Sequence, residues 1–91
     1  MPEPIRDDSL TTHARFELLR RGLDEAVVHR VLSEPEQWET QRPGRDVLQA
    51  RVEIHGRRYL VRVFVDVDRS PADVVTAYRT SKIDKCWRRE P

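Results

Sequence analysis

The sequence predicts an α+β domain, with two N-terminal helices packed on one face of a four-stranded, mainly antiparallel sheet. Three observations carry this. Two short segments ahead of residue 36 place apolar residues at helical spacing and meet at Gly22-Leu23-Asp24. From Leu48 to Val67 apolar and polar residues alternate with period two, the pattern of half-buried strands. A further β-prone run, Val74-Val75-Thr76-Ala77-Tyr78, follows after a turn at Asp68-Arg69-Ser70-Pro71.

Residues 1–10 hold Pro2, Pro4 and mixed charges, and read as a flexible arm with a short strand before Thr11. Residues 11–91 form the single domain. The first helix is expected from His13 to Arg21, with Thr11 or Thr12 as N-cap and Gly22 as the left-handed stop. Its apolar residues are Ala14, Phe16, Leu18 and Leu19, with Leu23 beyond. The second helix opens at Asp24, an N-cap followed by Glu25 in the first turn, and Leu23 and Val28 stand at staple positions. Val27, Val28, Val31 and Leu32 supply its apolar stripe, and Pro35 ends it.

Four strands follow. Gln37 to Gln41 is the first, broken by Pro43-Gly44. Leu48, Ala50, Val52 and Ile54 alternate with Gln49, Arg51, Glu53 and His55, and His55-Gly56 turns the chain. Tyr59, Val61, Val63, Val65 and Val67 alternate with Leu60, Arg62, Phe64 and Asp66 in the longest strand. The last runs from Asp73 to Thr80, and Lys82 to Trp87 suits a short helical turn. The expected core includes Leu18 or Leu19, Val27, Val31, Leu32, Val52, Val61, Val63 and Val74 or Val75.

Ninety-one residues suffice for one modest core. With 37% hydrophobic and 36% charged residues the surface must be dense in charge, yet the alternating apolar runs argue against disorder. No apolar stretch reaches membrane-spanning length, and no signal-peptide core follows Met1. Cys86 is the sole cysteine, which excludes an internal disulfide and a cysteine-based zinc site and fits a cytoplasmic location. No cofactor loop is present, since Gly22, Gly44 and Gly56 stand far apart, and no metal-ligand spacing appears around His29 or His55.

Net charge is only +1, but it is unevenly placed. From Arg79 to Arg89 five cations face Asp84 alone, a net +4, whereas acids concentrate earlier at Asp7, Asp8, Asp24, Glu25, Glu34, Glu36 and Glu39. The segment Tyr78-Arg79-Thr80-Ser81-Lys82 sets a phenol, two hydroxyls and two cations side by side. Core packing needs none of these, and a phosphate-handling surface uses all of them.

The opening His13-Ala14-Arg15-Phe16-Glu17-Leu18-Leu19-Arg20-Arg21-Gly22-Leu23 and the close Val74-Val75-Thr76-Ala77-Tyr78 with Lys82 and Lys85-Cys86-Trp87 carry a resemblance. Together they resemble a bacterial domain family of unknown function with the RelE/ParE toxin-like fold. That family opens on His-Ala-x-x-Arg-Met-x-x-Arg-Gly-Ile and closes on Val-Val-Thr-Ala-Tyr…Lys-x-x-x-Tyr-Trp. Glu17 stands where the family has arginine, and Cys86 where it has tyrosine. The resemblance implies a small ribonuclease that needs no metal and leaves 2′,3′-cyclic phosphates, with a small antitoxin-like protein as a partner.

Such cleavage needs a base for the 2′-hydroxyl, an acid for the leaving oxygen, and donors for the charge on phosphorus oxygens. His13, Tyr78 and Lys82 are the catalytic candidates, because histidine titrates nearest neutrality and phenol and ammonium groups donate. Arg79, Thr80, Ser81 and Lys85 are the candidates for holding RNA, arginine being suited to bidentate phosphate contact. Each also fits a plainer role: His13 as a cap, Tyr78 as half-buried packing, the lysines as solvated charges, and Trp87 as a cover on the core edge. The expected function is therefore a metal-independent ribonuclease, the alternative being a catalytically silent module of the same fold that binds RNA or protein.

Overall fold

The computed structural model describes residues 8–10, 12–69 and 71–87. A strand β1 (Asp8–Leu10) precedes helices α1 (Thr12–Arg20) and α2 (Glu25–Ser33). Strands β2 (Gln37–Arg42), β3 (Arg45–Ile54), β4 (Arg57–Asp66) and β5 (Ala72–Thr80) follow, and α3 (Ile83–Cys86) comes last. The strands form one sheet in the order β1-β5-β4-β3-β2. The expected four antiparallel strands are β2 to β5. The short strand expected before Thr11 is β1, which in addition pairs in parallel with the start of β5, makes the sheet five-stranded and brings residues 8–10 into the fold. Among the described residues no helix is long and apolar enough to cross a membrane.

Local signals set the corners as read. The Asp24 carboxylate accepts the Ala26 N–H at 3.0 Å and caps α2. Gly22 adopts φ +67° after α1, a conformation that favours glycine. His55 and Gly56 take φ values of +51° and +79°, so both central residues of the β3–β4 hairpin are left-handed, as a two-residue turn matched to sheet twist requires.

The core lies between the two helices and one face of the sheet. Leu18, Val28, Val31 and Leu32 meet Leu48, Ala50, Val52, Val61, Val63, Val65, Val74 and Ala77 there. Fully burying a valine or leucine contributes about 1.5–3 kcal/mol, so these side chains dominate stability. α2 packs over β3 and β4, and α1 runs beside β5. Leu18 is the buried member of the Leu18/Leu19 pair: Leu19 is 78% exposed and Phe16 59%, because only one stripe of so short a helix reaches the sheet. Val27 is half-buried at the core margin. Leu60, placed by alternation on the polar side of β4, is fully buried there, as is Val47 on β3.

β5 carries a bulge. Phe64 pairs with Thr76 while Val65 pairs with Val74, leaving Val75 as an extra residue. Val74 and Ala77, three positions apart, therefore both enter the helix-side core. Every residue after Val75 is shifted by one face. That shift governs the site.

Candidate nucleic-acid interface

Below the bulge, Ala77 faces the helices, so Tyr78 and Thr80 point to the opposite face and Arg79 to the helical side. On the opposite face the two-residue turn at His55-Gly56 sets Gln49 across from Arg62, Arg51 across from Leu60 and Glu53 across from Arg58. Gln49 is only 2% exposed, and its polar atoms are supplied by neighbours. Its amide nitrogen donates to Gln37 Oε1 at 2.6 Å and to the Cys86 carbonyl at 3.2 Å. Its amide oxygen accepts from Arg62 Nε at 2.9 Å. Arg62 Nη1 donates to the Tyr78 hydroxyl at 2.8 Å, and Glu39 lies 3.6 Å from Arg62 Nη2. The rings of Phe64 and Tyr78 lie near-parallel, 6.0 Å apart, with the Arg62 guanidinium carbon 5.5 and 5.8 Å from their centres.

This network also holds α3. Besides the carbonyl contact to Gln49, the Cys86 sulfur lies 4.0 Å from the Tyr78 hydroxyl. Beyond α3, the Trp87 ring lies against Arg51, whose guanidinium carbon is 4.1 Å from the ring centre. The Thr80 hydroxyl accepts the Lys82 N–H at 3.1 Å and shapes the turn between β5 and α3.

Beside α3 lies an open groove of about 570 Å³, lined by Arg51, Arg58, Ser81, Lys82, Ile83, Asp84 and Lys85. Four cations face one carboxylate in that lining. Arg51 is engaged by Glu36, with Nη2 2.9 Å from Oε2 and Nε 3.2 Å from Oε1, while Oε1 also accepts the Arg51 N–H at 2.7 Å. The Arg51 hydrogen bond holds the Glu36 carboxyl below its ordinary pKa, and Glu36 raises that of Arg51. Glu36 and Glu53 border the groove on the Arg51–Arg58 side. Among the described residues, Arg58, Lys82 and Lys85 have no carboxylate within ion-pair distance, although Arg58 lies near enough to Glu36 to help lower its pKa.

The far end of the same face is different. Arg45 Nε meets Asp66 Oδ1 at 2.8 Å, and Arg69 meets Asp73 at 2.9 Å. The Arg45 hydrogen bond lowers the Asp66 pKa, and Asp66 raises that of Arg45. Arg45 and Arg69 there are matched to acids, while Arg42, opposite Arg45, acts on Asp66 from beyond ion-pair distance. At the groove end most cations are not matched.

The candidate residues divide accordingly. Ser81, Lys82 and Lys85 come together in the groove. Tyr78 stands beneath α3 with its hydroxyl engaged by Arg62, and Thr80 serves the turn. Arg79 lies on the other side of the sheet, its guanidinium carbon 4.7 Å from the Tyr59 ring centre. His13 is exposed on the first turn of α1, in the helical layer and across the sheet from Tyr78. Arg88 and Arg89 lie outside the described residues. Glu17, which departs from the family pattern, pairs with Arg20 at 3.1 Å and Arg21 at 3.6 Å. Arg21 in turn donates to the Ala77 carbonyl at 2.9 Å and to the Thr76 hydroxyl at 3.0 Å, tying α1 to β5.

Sequence reasoning missed Arg51, Arg58, Gln49 and Arg62 as participants. The signal was present in the turn: two residues at His55-Gly56 pair residue 54 with 57, and counting outward aligns 53 with 58 and 49 with 62.

A family model described as a domain of unknown function (DUF4258) matches residues 10–79, from the end of β1 to Arg79. The groove residues Ser81, Lys82 and Lys85 lie just past that match. No curated protein and no solved structure matches the chain. Because the matched span covers most of the chain, this protein belongs to the DUF4258 family, a family without an assigned function.

Proposed function

We propose that the domain is an RNA-binding module that holds the phosphate backbone in the groove beside α3. The single observation that carries this is the gathering of Arg58, Lys82 and Lys85 around one cavity, none of them within ion-pair distance of a carboxylate among the described residues. Arginine and lysine neutralise phosphates and release counterions, which favours binding without a strongly basic protein overall. The Ser81 hydroxyl is placed in the same lining to donate to a phosphate oxygen. The likeness of the two end motifs to the RelE/ParE toxin-like fold supports RNA as the polyanion.

Metal-independent cleavage is the second reading, favoured by the presence of Lys82 in the groove. Its three catalytic candidates are spread apart, with His13 in the helical layer and the Tyr78 hydroxyl engaged by Arg62. Binding is therefore the reading the geometry favours. The test is titration of a labelled single-stranded RNA at several salt concentrations. Wild type should show salt-dependent affinity, and Lys82→Ala/Lys85→Ala should weaken it and flatten the log–log salt slope by roughly 1.4, about 0.7 per lost phosphate contact. Salt-independent binding, or a double variant equal to wild type, would remove the groove from the contact surface. Incubation of the same RNA with EDTA, scored for cyclic-phosphate ends, reads the second function. Cleavage that His13→Ala lowers by roughly 10²- to 10⁴-fold would replace binding with catalysis.

A further inference from the structure

The basic end of the sheet carries aromatic rings on both of its faces. On the groove side Arg51 stacks on Trp87. On the helical side, Arg57 and Arg79 both lie near the Tyr59 ring, their guanidinium carbons 5.7 and 4.7 Å from its centre. The pairing of Val61 with Arg79 puts Arg79 on the face that Arg57 and Tyr59 share by period two along β4. Gly22 leaves room for this arrangement: a Cβ there would stand 3.1 Å from Arg79 Nη2. Neither Arg57 nor Arg79 is held by a carboxylate among the described residues. Arg57 is exposed, and Tyr59 and Arg79 are half-buried.

Where this protein uses arginine for structure, it supplies a partner acid or a carbonyl: Asp66 for Arg45, Glu36 for Arg51, and Ala77 for Arg21. Among the described residues the Arg57–Tyr59–Arg79 row has neither. It is a partly exposed guanidinium–phenol–guanidinium surface, one sheet thickness from the cationic groove and separated from it by the ends of β4 and β5.

We infer that this row is a stacking site for a base of single-stranded RNA whose backbone lies in the groove. The inference rests on the RNA-binding reading above and adds the class of RNA. Aromatic and guanidinium planes accept the face of any unstacked base, whereas a duplex keeps its bases within the helix. The groove alone would accept any polyanion. Groove and row together select a flexible strand that can pass over the end of the sheet and turn a base onto the row.

The experiment compares three probes by anisotropy or competition: a labelled single-stranded oligoribonucleotide, the same sequence as a duplex, and inorganic polyphosphate, which has no bases. Wild type should prefer the single strand over the duplex. Tyr59→Ala should lose roughly 5- to 150-fold in affinity for the single strand, the range for one stacked base, and keep its affinity for polyphosphate. Tyr59→Trp should retain single-strand binding. Arg57→Ala/Arg79→Ala supplies a second variant that leaves the ring in place, and it should lower single-strand binding more than polyphosphate binding. Equal wild-type affinity for single strand and duplex overturns the inference, as does unchanged single-strand affinity in both the tyrosine and arginine variants. In those cases a salt-dependent loss in Lys82→Ala/Lys85→Ala leaves the groove reading standing. Absence of wild-type binding to all three probes overturns both.

Discussion

The two faces of the sheet are stabilised by different physics. On the helical face Val61, Val63 and Val65 are fully buried against α1 and α2, and almost any well-shaped apolar set would serve. On the opposite face Gln49 is as deeply buried, but its neighbours are Arg62, Gln37 and the Cys86 carbonyl, each at hydrogen-bonding distance. A buried amide of this kind is tolerated only while every partner is in place. The first face makes the protein stable. The second positions α3, and with it the lysines of the groove.

Three measurements on stability break or sharpen that contrast. The largest effect belongs to the apolar face: Val63→Ala should cost about 2–3 kcal/mol through lost transfer energy and the cavity left behind. A denaturant midpoint equal to wild type would place Val63 outside the core. Next comes Gln49→Leu, which adds apolar surface yet should destabilise by about 1–3 kcal/mol, because it strands Arg62 Nε and the Cys86 carbonyl. A more stable variant would show that the polar network is replaceable by packing, erasing the distinction between the faces.

The smallest effects belong to two ion pairs, the exposed Arg51–Glu36 and the half-buried Arg45–Asp66. Glu36 and Asp66 have pKa values lowered by hydrogen bonds from Arg51 and Arg45, so the unfolded chain takes up protons before the folded one as pH falls. Their contribution is complete above the ordinary carboxylate pKa and is lost as pH drops through the lowered folded values. Denaturant midpoints between pH 7 and pH 3 should therefore fall less steeply for Glu36→Gln and Asp66→Asn than for wild type. Curves that superimpose at every pH would dismiss both pairs as contributors.

Much of the fold was legible for local reasons. The helix corner at Gly22-Leu23-Asp24 followed from a left-handed stop beside an N-cap, and β3 and β4 from a clean period of two. The strand β1 was harder to place, since three residues carry little pattern and its pairing depends on β5. Half of the groove was legible as the cationic run after Thr80. Arg51 and Arg58 were not, because a charge on a strand reads as ordinary solvated surface until its cross-strand neighbours are counted.

The division is sharpest at β5. Its apolar and polar residues by themselves determined that a strand would form there and that a charged segment would follow. Counted from Val74 by twos, however, Tyr78 falls on the core side and Arg79 outside. The bulge at Val75 reverses both, sending Tyr78 to Arg62 beneath α3 and Arg79 to Tyr59 beside Gly22. A one-residue slip exchanges every side chain between faces, and its location depends on how β5 pairs with β4, with β1 and with the end of α1. Only the tertiary structure could decide that, because β5 is also held along its other edge by β1 and by Arg21 at the end of α1, both remote in sequence.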